Sequence, residues 1–190
     1  MVATVTVREA VSDGPTYYTI TSARFCTTDM YNPESTYPCV VPDAGFNYSY
    51  WKHFQLYFED TFTNIDNIRI YSDGTIDWSL GTGGGVFIGV QDTGDSGCPS
   101  AEYEQSAGTE GTTGYSIMDE TYGHDHYSDQ DPGVVDVTSY TSGSTLTLDS
   151  TDYTSAGDAS YFAVMQVKIA DDATQGTKAA ETITFLYDEI

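Results

Sequence analysis

Residues 79–90, Ser-Leu-Gly-Thr-Gly-Gly-Gly-Val-Phe-Ile-Gly-Val, decide how the chain is read, because their glycines have the look of a phosphate-cradling loop. Such a loop needs a Lys-Ser/Thr pair after the glycines and a helix whose first amides point at the anion. Neither is present: Gly83, Gly84 and Gly85 run straight into the β-branched and aromatic Val86-Phe87-Ile88. A dinucleotide-binding fingerprint fails on the same ground. What remains is a turn or bulge leading into a strand. There glycine serves positive φ or lets the backbone lie close to another chain.

Outward from this stretch, short apolar or alternating runs predict strands at about 2–8, 16–25, 48–59, 66–72, 85–91, 145–148, 160–170 and 181–188. The longest, 48–59, places Tyr50, Lys52, Phe54, Leu56 and Phe58 on one face and Trp51, His53, Gln55, Tyr57 and Glu59 on the other. A lysine in that apolar row belongs either at a rim or beside a pairing carboxylate. Ser72-Asp73-Gly74 signals a hairpin between Asn67–Tyr71 and Thr75–Leu80, and Ala170–Gly176 links the last two strands. Residues 92–133 have no apolar periodicity and are rich in Gly, Ser, Thr and acids. They read as a long acidic loop excursion, with a short helix near Ala101–Gln105. The pattern predicts one all-β domain over 1–190, an antiparallel β-sandwich of jelly-roll type with that excursion inserted.

The totals exclude several functions. Twenty-nine acids face six bases for a formal charge of −23, which repels nucleic-acid phosphates and anionic membrane surfaces. Such acidity keeps particles soluble and apart, suits a salty medium, and supplies carboxylate loops for calcium. No apolar run is long enough to span a membrane, and Met1–Val11 alternates like a strand instead of resembling an export signal. Val2, Val5 and Val7 fall in this first strand, expected at a sheet edge and in contact with partners.

Cys26 and Cys39 flank a turn-rich stretch, and the alternatives are a disulfide closing that loop or two free thiols; Cys98 is left over. His124 and His126, with Asp125 between them, have the spacing of two ligands on one strand face, and Asp92 and Asp95 lie in an acidic loop. Both are weak metal candidates, and no EF-hand spacing supports calcium. No Gly-x-Ser-x-Gly motif occurs and no carboxylate pair stands out, so no catalytic residue and no resident cofactor are assigned. Tyr17, Tyr18, Tyr48, Tyr50, Trp51 and Tyr57 form either a sugar-stacking platform or core and subunit contacts.

In Phe62–Val90 and Val164–Ile190 the chain resembles small structural proteins of tailed phages and archaeal viruses. The shared features are the Asn67–Gly74 hairpin signal, the glycine-rich lead-in to a strand, and a terminal hairpin carrying Asp172–Gly176 and Glu181–Glu189. The resemblance implies a non-enzymatic virion protein that decorates or cements the capsid exterior, as a homo-oligomer and against other virion proteins such as the major capsid protein. Gly83, Gly84, Gly85, Tyr115, Tyr122 and Tyr127 are then expected partner contacts. The alternatives are a tail tube or tail-associated protein, or an extracellular carbohydrate-binding sandwich.

Overall fold

The computed structural model describes residues 2–33, 35–90, 103–119 and 134–190. In chain order the strands are β1 (Thr4–Val11), β2 (Thr16–Ile20), β3 (Phe46–Tyr48), β4 (Lys52–Glu59), β5 (Ile65–Ser72), β6 (Gly85–Val90), β7 (Gly108–Thr109), β8 (Thr113–Gly114), β9 (Val135–Asp136), β10 (Leu146–Asp149), β11 (Gly157–Asp158), β12 (Ala163–Ala170) and β13 (Ile183–Glu189). The only helical element among the described residues is a 3-10 turn, Val137–Ser139. The helix expected near Ala101–Gln105 does not form over its described part, residues 103–105.

The protein is all-β. An eight-stranded antiparallel sheet runs β2-β1-β4-β12-β6-β9, with β3 paired to β12 and β11 to β4. A three-stranded antiparallel sheet runs β10-β5-β13, and β7-β8 is a separate small ribbon. The two main sheets face each other across one apolar core. The large sheet contributes Phe54, Leu56, Phe58, Ile88, Met165 and Val167, and the small sheet Ile65, Ile68, Ile70, Leu146 and Leu148. Alternation explains this: along β5 the isoleucines turn inward and Asp66, Arg69 and Tyr71 are only half-buried.

Three expectations about connectivity are corrected. Ser72-Asp73-Gly74 does turn the chain, but Thr75–Leu80 does not pair with β5, whose partners are β10 and β13. Instead Trp78 lies edge-on to Phe25 at 6.3 Å against the core, and its Nε1–H donates to the Ala179 carbonyl at 2.8 Å. This segment therefore lines the core as a connection between sheets. Second, β12 and β13 do not form a terminal hairpin, because Ala170–Gly176 carries the chain from the large sheet to the small one. Third, β1 is no edge: it pairs with β2 on one side and β4 on the other, so β2 takes the edge.

The long strand expected over 48–59 is interrupted at Ser49–Trp51. Both flanks pair with β12, and the register shifts between them, the signature of a bulge. The Tyr50 amide leaves the ladder and donates to the Cys26 carbonyl at 2.9 Å.

Phe58 has no exposed surface and packs on Phe62 and Tyr153. Phe58→Ala is expected to cost about 3–5 kcal/mol in urea unfolding. Leu186→Ala, on the outer face of β13 and 38% exposed, is expected to cost about 0.5 kcal/mol or less.

Candidate functional site

The glycine stretch is a turn held by the chain itself. The Gly84 amide donates to the Gly81 carbonyl at 3.1 Å, and Gly81 and Gly83 adopt φ of +83° and +78°. A side chain at Gly81 would start 2.2 Å from Asp172 Oδ1, and one at Gly84 2.1 Å from the Leu80 carbonyl. Asp172 accepts from the Thr82 amide and hydroxyl, each at 2.7 Å. Those hydrogen bonds hold its carboxyl below the usual carboxylate range. Gly85 faces Asp136, whose Oδ2 would lie 2.6 Å from an added Cβ. Within the chain, Gly84 and Gly85 are thus set by close contacts and Gly83 by its positive φ. The adjoining cleft, about 380 Å³, has Asp77 and Asp136 as its charged lining residues and therefore repels phosphate.

The described residues gather their most unusual polar side chains between β1 and β4 of the large sheet. Glu9 of β1 and Lys52 of β4 are 1% and 4% exposed and form a direct ion pair. Lys52 Nζ also donates to the Met30 carbonyl at 3.1 Å. Burial pushes the Glu9 carboxyl above its ordinary value, opposed by Lys52. Asp29 is likewise pushed up by burial, and its Oδ2 accepts from the Ser12 amide at 2.9 Å and Gln105 Nε2 at 3.0 Å. Removing one partner of such a pair strands a buried charge, a loss of about 3–5 kcal/mol.

Cys26 and Cys39 lie beside this cluster as free thiols, so the disulfide alternative is not realised. The Cys26 thiol donates to the Thr28 carbonyl at 3.1 Å. The loop between the cysteines is closed instead by Thr27, whose amide and hydroxyl both donate to the Tyr37 carbonyl. Burial, and then Cys26, push the Cys39 thiol up to about 12, which leaves it protonated and unreactive at neutral pH.

Of the expected partner contacts, Val2 is exposed while Val5 and Val7 pack against the core. Tyr115 is exposed, with its amide tied to the Ala107 carbonyl at 3.0 Å. Asp92, Asp95, Cys98, Tyr122, His124, His126 and Tyr127 lie outside the described residues. Among the described residues, no three His, Cys, Asp or Glu side chains gather as they would around a metal ion. The aromatic platform divides: Tyr50 and Trp51 are buried, whereas Tyr17 and Tyr18 of β2 are exposed. Tyr18 stacks on Tyr31 with ring centroids 4.3 Å apart and planes 3° from parallel.

No family model matches the chain, and no curated protein or solved structure shows significant similarity to it.

The described part of the acidic excursion is packed down, not free. Ile117, with Tyr103 and Ala107 at its margin, joins Ala10, Trp51, Phe162 and Val164 in a second apolar cluster on the far face of the large sheet. His53 sits there too, its ring 4.6 Å from Tyr103 and 5.8 Å from Phe162. Gln166 of β12 fastens this layer. Its Nε2 donates to the Ser49 carbonyl at 2.8 Å and the Tyr115 carbonyl at 2.6 Å, and its Oε1 accepts from the Ile117 amide at 3.0 Å.

Sequence reasoning left Glu9, Asp29 and Gln166 unmarked. The usable signals were a lysine and a glutamine interrupting the apolar rows of β4 and β12. Gln166→Ala is expected to lower unfolding stability by about 2–4 kcal/mol, because three backbone groups, two of them in buried hydrogen bonds, lose their partner. Gln166→Glu is expected to be worse than neutral substitution of an exposed residue, since its carboxylate cannot donate to two carbonyls.

Proposed function

We propose that the chain is a non-enzymatic structural protein of a virus particle, which decorates or cements the capsid exterior through contacts with its own copies and with the major capsid protein. The observation that supports this best is a free edge of the large sheet, the one formed by β2. Among the described residues β2 pairs only with β1, and it presents the exposed Tyr17 and Tyr18 beside unpaired backbone groups. Such an edge accepts a further strand, with main-chain hydrogen bonds for affinity and tyrosines for contact area. The charge of −23 favours an outward-facing position, away from packaged nucleic acid. Assembly would take place in the host cytoplasm, with release on the particle.

The jelly-roll comparison belongs to this proposal only in its broad form, two antiparallel sheets closed on a shared core. Eight strands against three is a departure from two equal sheets. A tail tube or tail-associated position uses the same edge. The extracellular sugar-binding reading has the stacked, exposed Tyr18 and Tyr31 on its side. It loses Trp51, which is buried.

Mass spectrometry of purified particles encoded by the same genome is expected to find the chain as a stoichiometric component. Tyr17→Lys/Tyr18→Lys is expected to release it from them without unfolding. Absence from particles, together with glycan-array binding lost in Tyr18→Ala, would replace this reading with the sugar-binding one.

A further inference from the structure

Glu9 and Lys52 meet on adjacent antiparallel strands, on the face that carries Phe54 and Met165 into the core. Solvent reaches neither side chain, and the Lys52 amine touches the Glu9 carboxyl directly. The Met30 carbonyl accepts a second hydrogen bond from the amine. Asp29, the residue before Met30, acts electrostatically on both groups and is anchored from the Ser12 and Gln105 side.

An ammonium and a carboxylate buried together can move one proton and become a neutral amine and a neutral acid, which removes two charges from an apolar site. Burial, the largest influence, favours the acid form of Glu9; the Lys52 ammonium opposes it, and the negative charge of Asp29 adds a smaller push toward the acid. A neutral amine and a carboxylic acid are the two reactants of amide formation. Held in contact, they react with an effective concentration far above any reached in solution.

We propose that Glu9 and Lys52 become joined by an intramolecular isopeptide bond, with Asp29 as a positioning residue. The Lys52 Nζ lone pair attacks Glu9 Cδ, and a C–N bond forms. The Cδ–OH bond then breaks, and the hydroxyl leaves as water with one proton taken from Nζ. No electrons change hands, and neither a metal nor a co-reactant is required. The product ties β1 to β4 covalently and closes the chain from 9 to 52 into a ring. A bond of this kind would serve a capsid component and an exposed binding module alike, so it stands apart from the choice between them.

The experiment is intact-mass spectrometry of the purified full-length chain, followed by tryptic mapping. The expected mass is about 18 Da, one water, below that of the unlinked sequence. Cleavage after Lys52 should be blocked, and the peptide beginning at Glu9 should be found joined to the one beginning at Phe25. Lys52→Met, which keeps the stem without the amine, should show the full mass expected for its sequence. In denaturing gels without prior digestion, wild type should migrate faster than Lys52→Met because its chain is ringed. Asp29→Asn should form the link more slowly, by roughly tenfold or more, while keeping the Ser12 contact. A wild-type chain at its full unlinked mass after prolonged incubation in the folded state would overturn the proposal. So would a link that maps Lys52 to any other carboxyl. Linkage at the wild-type rate in Asp29→Asn would overturn the role given to Asp29.

Discussion

The structure depends on the double covering of β4 and β12. An antiparallel sheet ordinarily buries one face and wets the other. Here both central strands are buried along nearly their whole length, by the small sheet on one side and by residues 103–119 with Val134 on the other. Every polar side chain on them must then find its partner inside the protein. Lys52 finds Glu9, and Gln166 finds Ser49, Tyr115 and Ile117. The same demand explains the glycines of the covering ribbon: a side chain at Gly114 would begin 2.2 Å from the Ser49 carbonyl. The ribbon can approach the sheet because nothing projects from it there.

This construction supports the proposed contact role. Its buried ionisable groups are sealed by packing, and the cleft beside the glycine turn is lined by the carboxylates of Asp77 and Asp136. Among the described residues, the β2 edge presents an open pairing side together with exposed tyrosines. The charge of −23 repels phosphate backbones and anionic membrane surfaces, which supports the proposal that the partners are proteins.

Strand positions were legible because inward residues alternate. The isoleucines of β5 and the Phe-Leu-Phe row of β4 mark their own burial. Pairing was not legible in the same way. A local signal such as Ser72-Asp73-Gly74 announces a turn but not where the chain goes next. Trp78 had more to gain by covering the core beside Phe25 than Thr75–Leu80 had by pairing with β5. Likewise, the excursion looked solvated because its apolar residues are sparse. Ile117 and Tyr103 suffice for packing because Gln166 and close-approaching glycines do the rest. Lys52 asked for a carboxylate, yet among so many acids only the three-dimensional register between β1 and β4 names Glu9. The histidine pair and the loop around Asp92 lie outside the described residues, so their expected roles stay where the sequence placed them.

The most direct measurement of the double covering is amide hydrogen exchange resolved to single residues. The account predicts that the amides of Gly111, Tyr115 and Ile117, which donate to Thr27, Ala107 and Gln166, exchange about as slowly as those of β12. Exchange of these three at rates typical of an open loop, with β12 still protected, would contradict it.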